Sequence, residues 1–421
     1  MAAQLMVLIY NLADTFFIAQ THNDYMVAAV SLATPVFLIF MSLGTLFGIG
    51  GTSVISRALG AGKQEYARKV SAFCMWGCVL VGGILMILFW TCMDPLLNTL
   101  GASAETMDYT RKYMNIVVSC GIFSMISNCY SNIIRAEGKA GIATTGTVAG
   151  NLLNVILDPI MITVLGMNVS GAAWATVIGN TVAALYYIIY FLRGKSSLSI
   201  HIKEVSMKDG ICSGVLAIGV PAALGTLLMS VSQVITNSQM AGYGDLAVAA
   251  YGVASKVIMI VAMIGLGVGM GVQPLLGFSH GSNNRARFNS ILKFSSILGI
   301  FVCVVMALIC AVFTEPIVKL FLTEATALSD GITFTRILIS TGWLFGLYYV
   351  LLNALQAMGA ATPSFIVSVC RQGIIYIPAV FIMGGILGAN GLVWAQPVAD
   401  VLSLLLVAVL LFCQLKKKEI A

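Results

Sequence analysis

The stretch Asn151–Ile162, NLLNVILDPIMI, is apolar enough to enter lipid, yet it carries a carboxylate, Asp158. A carboxylate near the middle of a bilayer costs roughly 2.5–3.5 kcal/mol even on a lenient insertion scale, so a chain keeps one there for a partner or a task. Asn154 lies four residues earlier, and on a helix its amide stacks over the same face as Asp158. Pro159 follows at once; it lacks a backbone N–H and frees a carbonyl about one turn earlier, an extra oxygen where there is no water. An acid, an amide and a loosened carbonyl on one face make a site for a small cation or a proton. The competing reading is a buried polar pair that only locks two helices together. A second acid, Asp14, sits in the apolar run Tyr10-Asn11-Leu12-Ala13-Asp14-Thr15-Phe16-Phe17. Thr176 and Asn180, on a later apolar stretch, could add oxygens or bond helix to helix.

These groups must be positioned by membrane helices. The 421 residues are 59% hydrophobic and only 9% charged, against about 25% charged in soluble domains. The mean hydropathy is +0.98. A span needs about 20 apolar residues. Twelve are expected, at 1–19, 27–55, 70–92, 113–134, 142–165, 171–192, 211–240, 247–274, 290–313, 334–357, 364–387 and 391–413. The first basic residue is Arg57, no signal peptide is visible, and the first span is short at its start. The longest polar connection, Arg193–Asp209, divides the chain into a lobe over 1–195, a linker over 196–210 and a lobe over 211–421.

Lys and Arg set the orientation. Connections after even-numbered spans hold Arg57, Lys63, Arg68 and Lys69, then Arg135 and Lys139, then Arg193, Lys195, Lys203 and Lys208, then Arg285, Arg287 and Lys293; the tail adds Lys416, Lys417 and Lys418. Connections after odd-numbered spans hold only Arg111, Lys112, Lys319 and Arg336. Both termini are therefore expected in the cytoplasm. The net charge of +6 is topological and calls for no nucleic-acid partner.

The halves repeat. Asp94-Pro95 matches Glu315-Pro316 (315 − 94 = 221), and Val27-Ala28-Ala29 matches Val248-Ala249-Ala250 at the same offset. Arg135-Ala136-Glu137-Gly138 matches Gln356-Ala357-Met358-Gly359 at 221, and Gly171 with Trp174-Ala175 matches Gly391 with Trp394-Ala395 at 220. Six spans per copy is an even number, so the copies share an orientation and a pseudo-two-fold along the membrane normal. The expected fold is an all-α polytopic membrane protein of twelve transmembrane helices in two six-helix lobes. Two like bundles that rock about a cleft make a transporter architecture.

Asp14 and Asp158 have no counterpart in the second half, where the offset places Ile235 and Ala379. A structural pair would more often be kept in both copies, so the asymmetry favours function. The second half instead has Lys256, Arg371 and Asp400; Arg371 and Asp400 are expected to pair across neighbouring helices. Gln273, Asn353, Gln356 and Asn180 are candidate cleft residues, and the 21 Met would suit an adaptable cavity for lipophilic ligands. The 10 Cys fall mostly inside spans without a CxxC, and the 3 His are far apart, which argues against metal or redox chemistry. No GxxxxGK[ST] provides an ATP engine, and no nucleophile triad or HExxH lies in a span, which argues against an enzyme.

The chain resembles the multidrug and toxic compound extrusion (MATE) family, within the superfamily that also holds polysaccharide-lipid flippases. The residues that carry this are Tyr10-Asn11…Asp14-Thr15-Phe16-Phe17, Arg57-Ala58-Leu59-Gly60-Ala61-Gly62, Ile134-Arg135-Ala136-Glu137-Gly138, Asn154…Asp158-Pro159, Gly171-Ala172-Ala173-Trp174-Ala175-Thr176 and Leu355-Gln356-Ala357-Met358-Gly359. Singly they are weak; in this order they are specific and cover essentially the whole chain, most like the bacterial branch of DNA-damage-inducible and staphylococcal-type exporters. The resemblance implies alternating access and export of lipophilic, cationic organic compounds in exchange for protons or sodium. It maps a first-lobe cation site onto Asp14, Asn154, Asp158 and Thr176, with Asp14, Asn154 and Asp158 as sodium ligands if sodium is used. Spans that carry acids in some branches have Gln233 and Asn353 here, so a second-lobe site of that kind is not expected. The expected partners are small organic substrates and membrane lipids, with no nucleic acid, no cofactor beyond the coupling ion, and a monomer in the bacterial cytoplasmic membrane. The rival within the superfamily is a lipid-linked precursor flippase, for which the cleft offers few basic residues.

Overall fold

Left-handed turns punctuate a chain whose described residues are mostly helical. The computed structural model describes residues 3–7, 9–10, 17, 24–100, 103, 106–322 and 324–420, and no strand occurs among them. The chain divides into one unit up to Gly219 and a second from Val220.

In the first unit, α1 (Asp24–Gly60) and α2 (Gln64–Thr91) are followed by the short α3 (Met93–Thr99). Then come α4 (Met107–Ser119), α5 (Gly121–Ala136) and α6 (Ala140–Pro159), a π-helical turn (Ile160–Val164) and α7 (Asn168–Leu192). Helix α8 (Ile211–Ala241) begins in this unit, and the division falls within it. Two of the family-like motifs turn out to be helix ends. In Arg57–Gly62 and Arg135–Gly138 the glycine takes φ of 72° and 85°, and the following N–H reaches back to Ala58 and Ile134. That is a Schellman stop, which a side chain would strain.

In the second unit, α9 (Asp245–Gly281), α10 (Arg285–Val312) and the short α11 (Thr314–Lys319) precede α12 (Ala325–Ile339), α13 (Leu344–Ala357) and α14 (Ala361–Val369). A second π-helical turn (Cys370–Ile374) leads into α15 (Tyr376–Ile420), broken at Gly388 by φ 63° and ψ −141°. The repeat is visible element by element: α2 and α10 match at both ends (285 − 64 = 221 and 312 − 91 = 221). Asn283 (φ 54°) and Gly359 (φ 72°) repeat the stops at Gly62 and Gly138.

Eight helices among the described residues are long and apolar enough to cross a membrane, and two bent pairs add a span each. The break at Gly388 divides the last of the eight, so the described residues supply all the expected spans but the first. That one, 1–19, lies largely outside the described residues. The expected spans 113–134 and 334–357 are not straight: α4 meets α5 at 52° and α12 meets α13 at 45°. At the first bend Gly121 is pressed on the ring of Phe40, where a Cβ would stand 2.5 Å from the ring edge. Apolar length signals a span but carries no sign of such a packing-driven bend.

Candidate functional site

Close backbone contact between α6 and α7 builds the site. A Cβ on Gly150 would lie 2.6 Å from the Gly179 carbonyl oxygen, and one on Gly179 would lie 2.6 Å from that of Gly150. Small residues let helices approach in this way, so that polar side chains beside them can bond across. Asn154, one turn from Gly150, donates through Nδ2 to Thr176 Oγ1 at 3.3 Å. Asn180 donates to the main-chain oxygen of Thr176 at 3.0 Å. Asn154, Thr176 and Asp158 are all buried, Asp158 completely.

Beside the Gly150–Gly179 contact lies a cavity of about 10 Å³ lined also by Tyr10, Asn151, Asn154, Thr176 and Asn180. It has room for about one water or a bare ion. The buried Oδ1 of Asn154 and Nδ2 of Asn151 have no hydrogen-bond partner among the described residues. A buried amide oxygen without a donor stays desolvated at a cost of about 1–3 kcal/mol, and a cation would relieve it. Asp158 sits one helical turn beyond Asn154 and is followed by Pro159 and the π turn. The helix remains α-helical up to Pro159; the change of register comes after the proline, where Leu165 N–H bonds to Ile160 at 2.8 Å and Thr163 Oγ1 donates to the Pro159 carbonyl.

Of the expected first-lobe set, Asn154 and Thr176 are in direct contact, Asp158 lies on the next turn of α6, and Asp14 falls outside the described residues. Tyr10, four residues before Asp14 in sequence, lines the cavity, as does Asn151. Neither had been assigned a role from the sequence, although Asn151, Asn154 and Asp158 share the i, i+3, i+7 spacing of one helix face.

In the second unit, Arg371 and Asp400 form the expected pair. Arg371 Nη2 and Nε approach Asp400 Oδ1 at 3.0 and 3.2 Å, and Gln396 Nε2 donates to the same oxygen at 2.9 Å. The guanidinium lies over Tyr348 at 4.5 Å, and its Nη1 donates to the Tyr349 hydroxyl at 3.3 Å. The repeat offsets align this cluster with the first-unit site. Asp400 and Gln396 correspond to Asn180 and Thr176 (400 − 180 = 220), and Arg371 to Gly150 (371 − 150 = 221). Where the first unit has a cavity, the second has a resident cation. Gln273 on α9 and Asn353 and Gln356 on α13 are buried; Asn353 Nδ2 donates to Tyr349 O at 2.8 Å. Lys256 and Gln233 are exposed.

A family model, MatE, matches residues 1–160 and again 221–382, the two copies of the repeat. The multidrug export protein MepA of Staphylococcus aureus (strain MRSA252) is 33% identical over 402 residues, covering 95% of this chain and 88% of that protein. MepA of Staphylococcus saprophyticus is 32% identical over 405 residues, with the same coverage. Among solved structures, a MATE in complex with MaL6 superposes with a TM-score of 0.95 at 23% identity, over 100% of this chain and 95% of that one. The outward-facing form of a multidrug resistance MATE family transporter of the MOP superfamily also gives 0.95 at 23%, over 100% and 94%.

Proposed function

We propose an ion-driven exporter from one premise: the chain belongs to the MATE family. It is a multi-pass membrane transporter of the multidrug efflux class, with twelve helices in two lobes, and not an enzyme. The finer reading is that it exports lipophilic, cationic organic compounds by alternating access, in exchange for protons or sodium, with coupling in the first lobe. One observation supports that division. The buried oxygens of Asn154 and Thr176 border a small cavity, with Asp158 on the next turn of α6, whereas the counterpart in the second unit is filled by the Arg371 guanidinium held on Asp400. A site that holds its own cation cannot exchange one.

In this reading a proton or sodium ion entering from outside offsets one negative charge of the Asp14 and Asp158 pair. Were the ion sodium, the amide oxygen of Asn154 and the hydroxyl of Thr176 would complete its oxygen shell. Pro159 and the π turn after it give α6 a weak point at which the neutralised helix changes shape, a use to which π-bulges are often put. The drive is the difference in ion affinity between two states, because a ligand that binds both equally shifts nothing. On the same reading the protein works in the bacterial cytoplasmic membrane with both ends of the chain inside, as the Lys and Arg pattern expects. Reconstituted protein filled with a lipophilic cationic dye tests this by taking an inward proton gradient and an inward sodium gradient in separate trials. Export under one of them, abolished when that gradient is collapsed, is expected; export indifferent to both refutes ion coupling.

A further inference from the structure

A cavity of about 300 Å³ opens in the second unit where the basic residues gather, at the ends of α9, α10, α13 and α15. His280, Arg285 and Lys416 line it, with Asn283 and Asn289 beside them, and no Asp or Glu is among its lining residues. Its other walls are apolar, from Phe288, Met358 and Phe412. Phe412 is 67% exposed, and Phe278 and Leu275, one turn before the cavity on α9, are exposed as well. The pocket is therefore cationic at one side and open to an apolar helix surface at the other.

The first unit explains why the space is there. At the offset of 221 Met358 corresponds to Glu137, and at the offset of 220 that holds along α7 and the matching part of α15 Phe412 corresponds to Leu192 and Lys416 to Ser196 (416 − 196 = 220). In the first unit the chain after α7 turns back over this groove. Glu137 accepts from Tyr190 Oη at 3.1 Å, from Ser196 Oγ at 2.9 Å, from Ser197 Oγ at 3.0 Å and from the Ser197 N–H. Leu198 is buried, and Trp76 Nε1 donates to the Ile200 carbonyl at 3.1 Å. In the second unit the anchoring acid is a methionine, α15 runs on as helix through Ile420, and among the described residues no segment folds back. The groove that the first unit fills with its own chain is left open in the second, with its anchoring acid exchanged for an apolar residue.

We propose that this groove is a site for a phosphate-bearing anion, filled by the headgroup of an anionic phospholipid. Arg285, His280 and Lys416 would bind the phosphate, with Asn283 and Asn289 donating alongside, and an acyl chain would lie along Phe412. Basic pockets between membrane helices take anionic lipid headgroups in this way. The exposed apolar flank selects a lipid over a soluble phosphate, which would gain nothing from Phe412.

Purified full-length protein in neutral detergent tests this by native mass spectrometry with added phosphatidylglycerol or phosphatidylcholine. The first phosphatidylglycerol should be retained in preference to phosphatidylcholine. The Arg285→Ala, Lys416→Ala double variant should weaken it on the order of ten-fold, as expected for two surface cations. Met358→Glu, which restores the first unit's acid and removes no cation, should weaken it too. Thermal unfolding of each variant guards against loss of fold. Equal retention of both lipids, or phosphatidylglycerol retention unchanged in both variants, overturns the proposal. Displacement of the lipid by millimolar inorganic phosphate overturns the lipid assignment in favour of a soluble anion.

Discussion

Gly179→Ala should pull the candidate cation site apart without unfolding the protein. The new Cβ would meet the Gly150 carbonyl oxygen at 2.6 Å, where ordinary contact begins at 3.4 Å. The helices must therefore part by about 0.8 Å (3.4 − 2.6). Overpacking of this kind costs about 1–3 kcal/mol, which a lobe this size survives. Asn154 and Thr176 flank the crossing, and their 3.3 Å bond has almost no slack before it exceeds hydrogen-bond range. Its loss is about 1 kcal/mol, or about a five-fold weaker coupling ion. Thr176→Val removes the same bond and the hydroxyl oxygen with little change of shape, and should produce a loss at least as large. With the bond already gone, adding Gly179→Ala to Thr176→Val should make ion affinity little worse than Thr176→Val alone. The assay is the concentration of coupling ion that half-activates dye efflux from proteoliposomes, with a melting curve on each variant. Wild-type half-activation in Gly179→Ala, or fully additive losses in the double variant, would refute the dependence of the site on this crossing.

Three further outcomes follow from the geometry. Asp400→Asn leaves the buried Arg371 without its counter-charge and should destabilise the protein by about 3–5 kcal/mol in thermal or denaturant unfolding; a stable but uncoupled variant would contradict the structural role. Glu137→Ala removes the acceptor that holds Ser196 and Ser197 and should cost about 1.5–3 kcal/mol, read as faster trypsin cleavage after Lys203 and Lys208. On a Cys-free background, an impermeant thiol reagent added outside should label Asn168→Cys and miss Lys203→Cys. Lys203 is exposed, so failure to label there reports the side of the membrane and not burial.

The architecture was legible because two signals in it are read from the sequence without any knowledge of packing. Apolar length marks each span, and the 221-residue offset that matches Asp94-Pro95 with Glu315-Pro316 also matches α2 with α10 at both ends. The bends at 52° and 45° were not legible, since neither bent span carries a proline at its bend, and at the first of them the contact is made by another helix, Phe40 on Gly121. The site was half legible. Asn154 and Asp158 are four residues apart and declare a shared face, and Arg371 with Asp400 declares a pair because two opposite charges in lipid have few alternatives. The Asn154–Thr176 bond depends on how Gly150 meets Gly179, and single glycines in a glycine-rich chain do not announce which of them touch. The π turn after Pro159 was not legible: the missing donor of a proline predicts a freed carbonyl about one turn earlier, and nothing in Ile160–Val164 announces the wider Leu165-to-Ile160 bond.

The most direct test of first-lobe coupling is gradient-driven dye efflux by the Asp14→Asn, Asp158→Asn double variant, with dye binding measured on the same protein. The isosteres keep volume and lose the charge that an ion neutralises. Export should vanish while dye binding and the melting curve stay near wild type. Full coupled export by that variant would contradict the account outright, and lost export together with lost dye binding would make these acids drug ligands and not the coupling site.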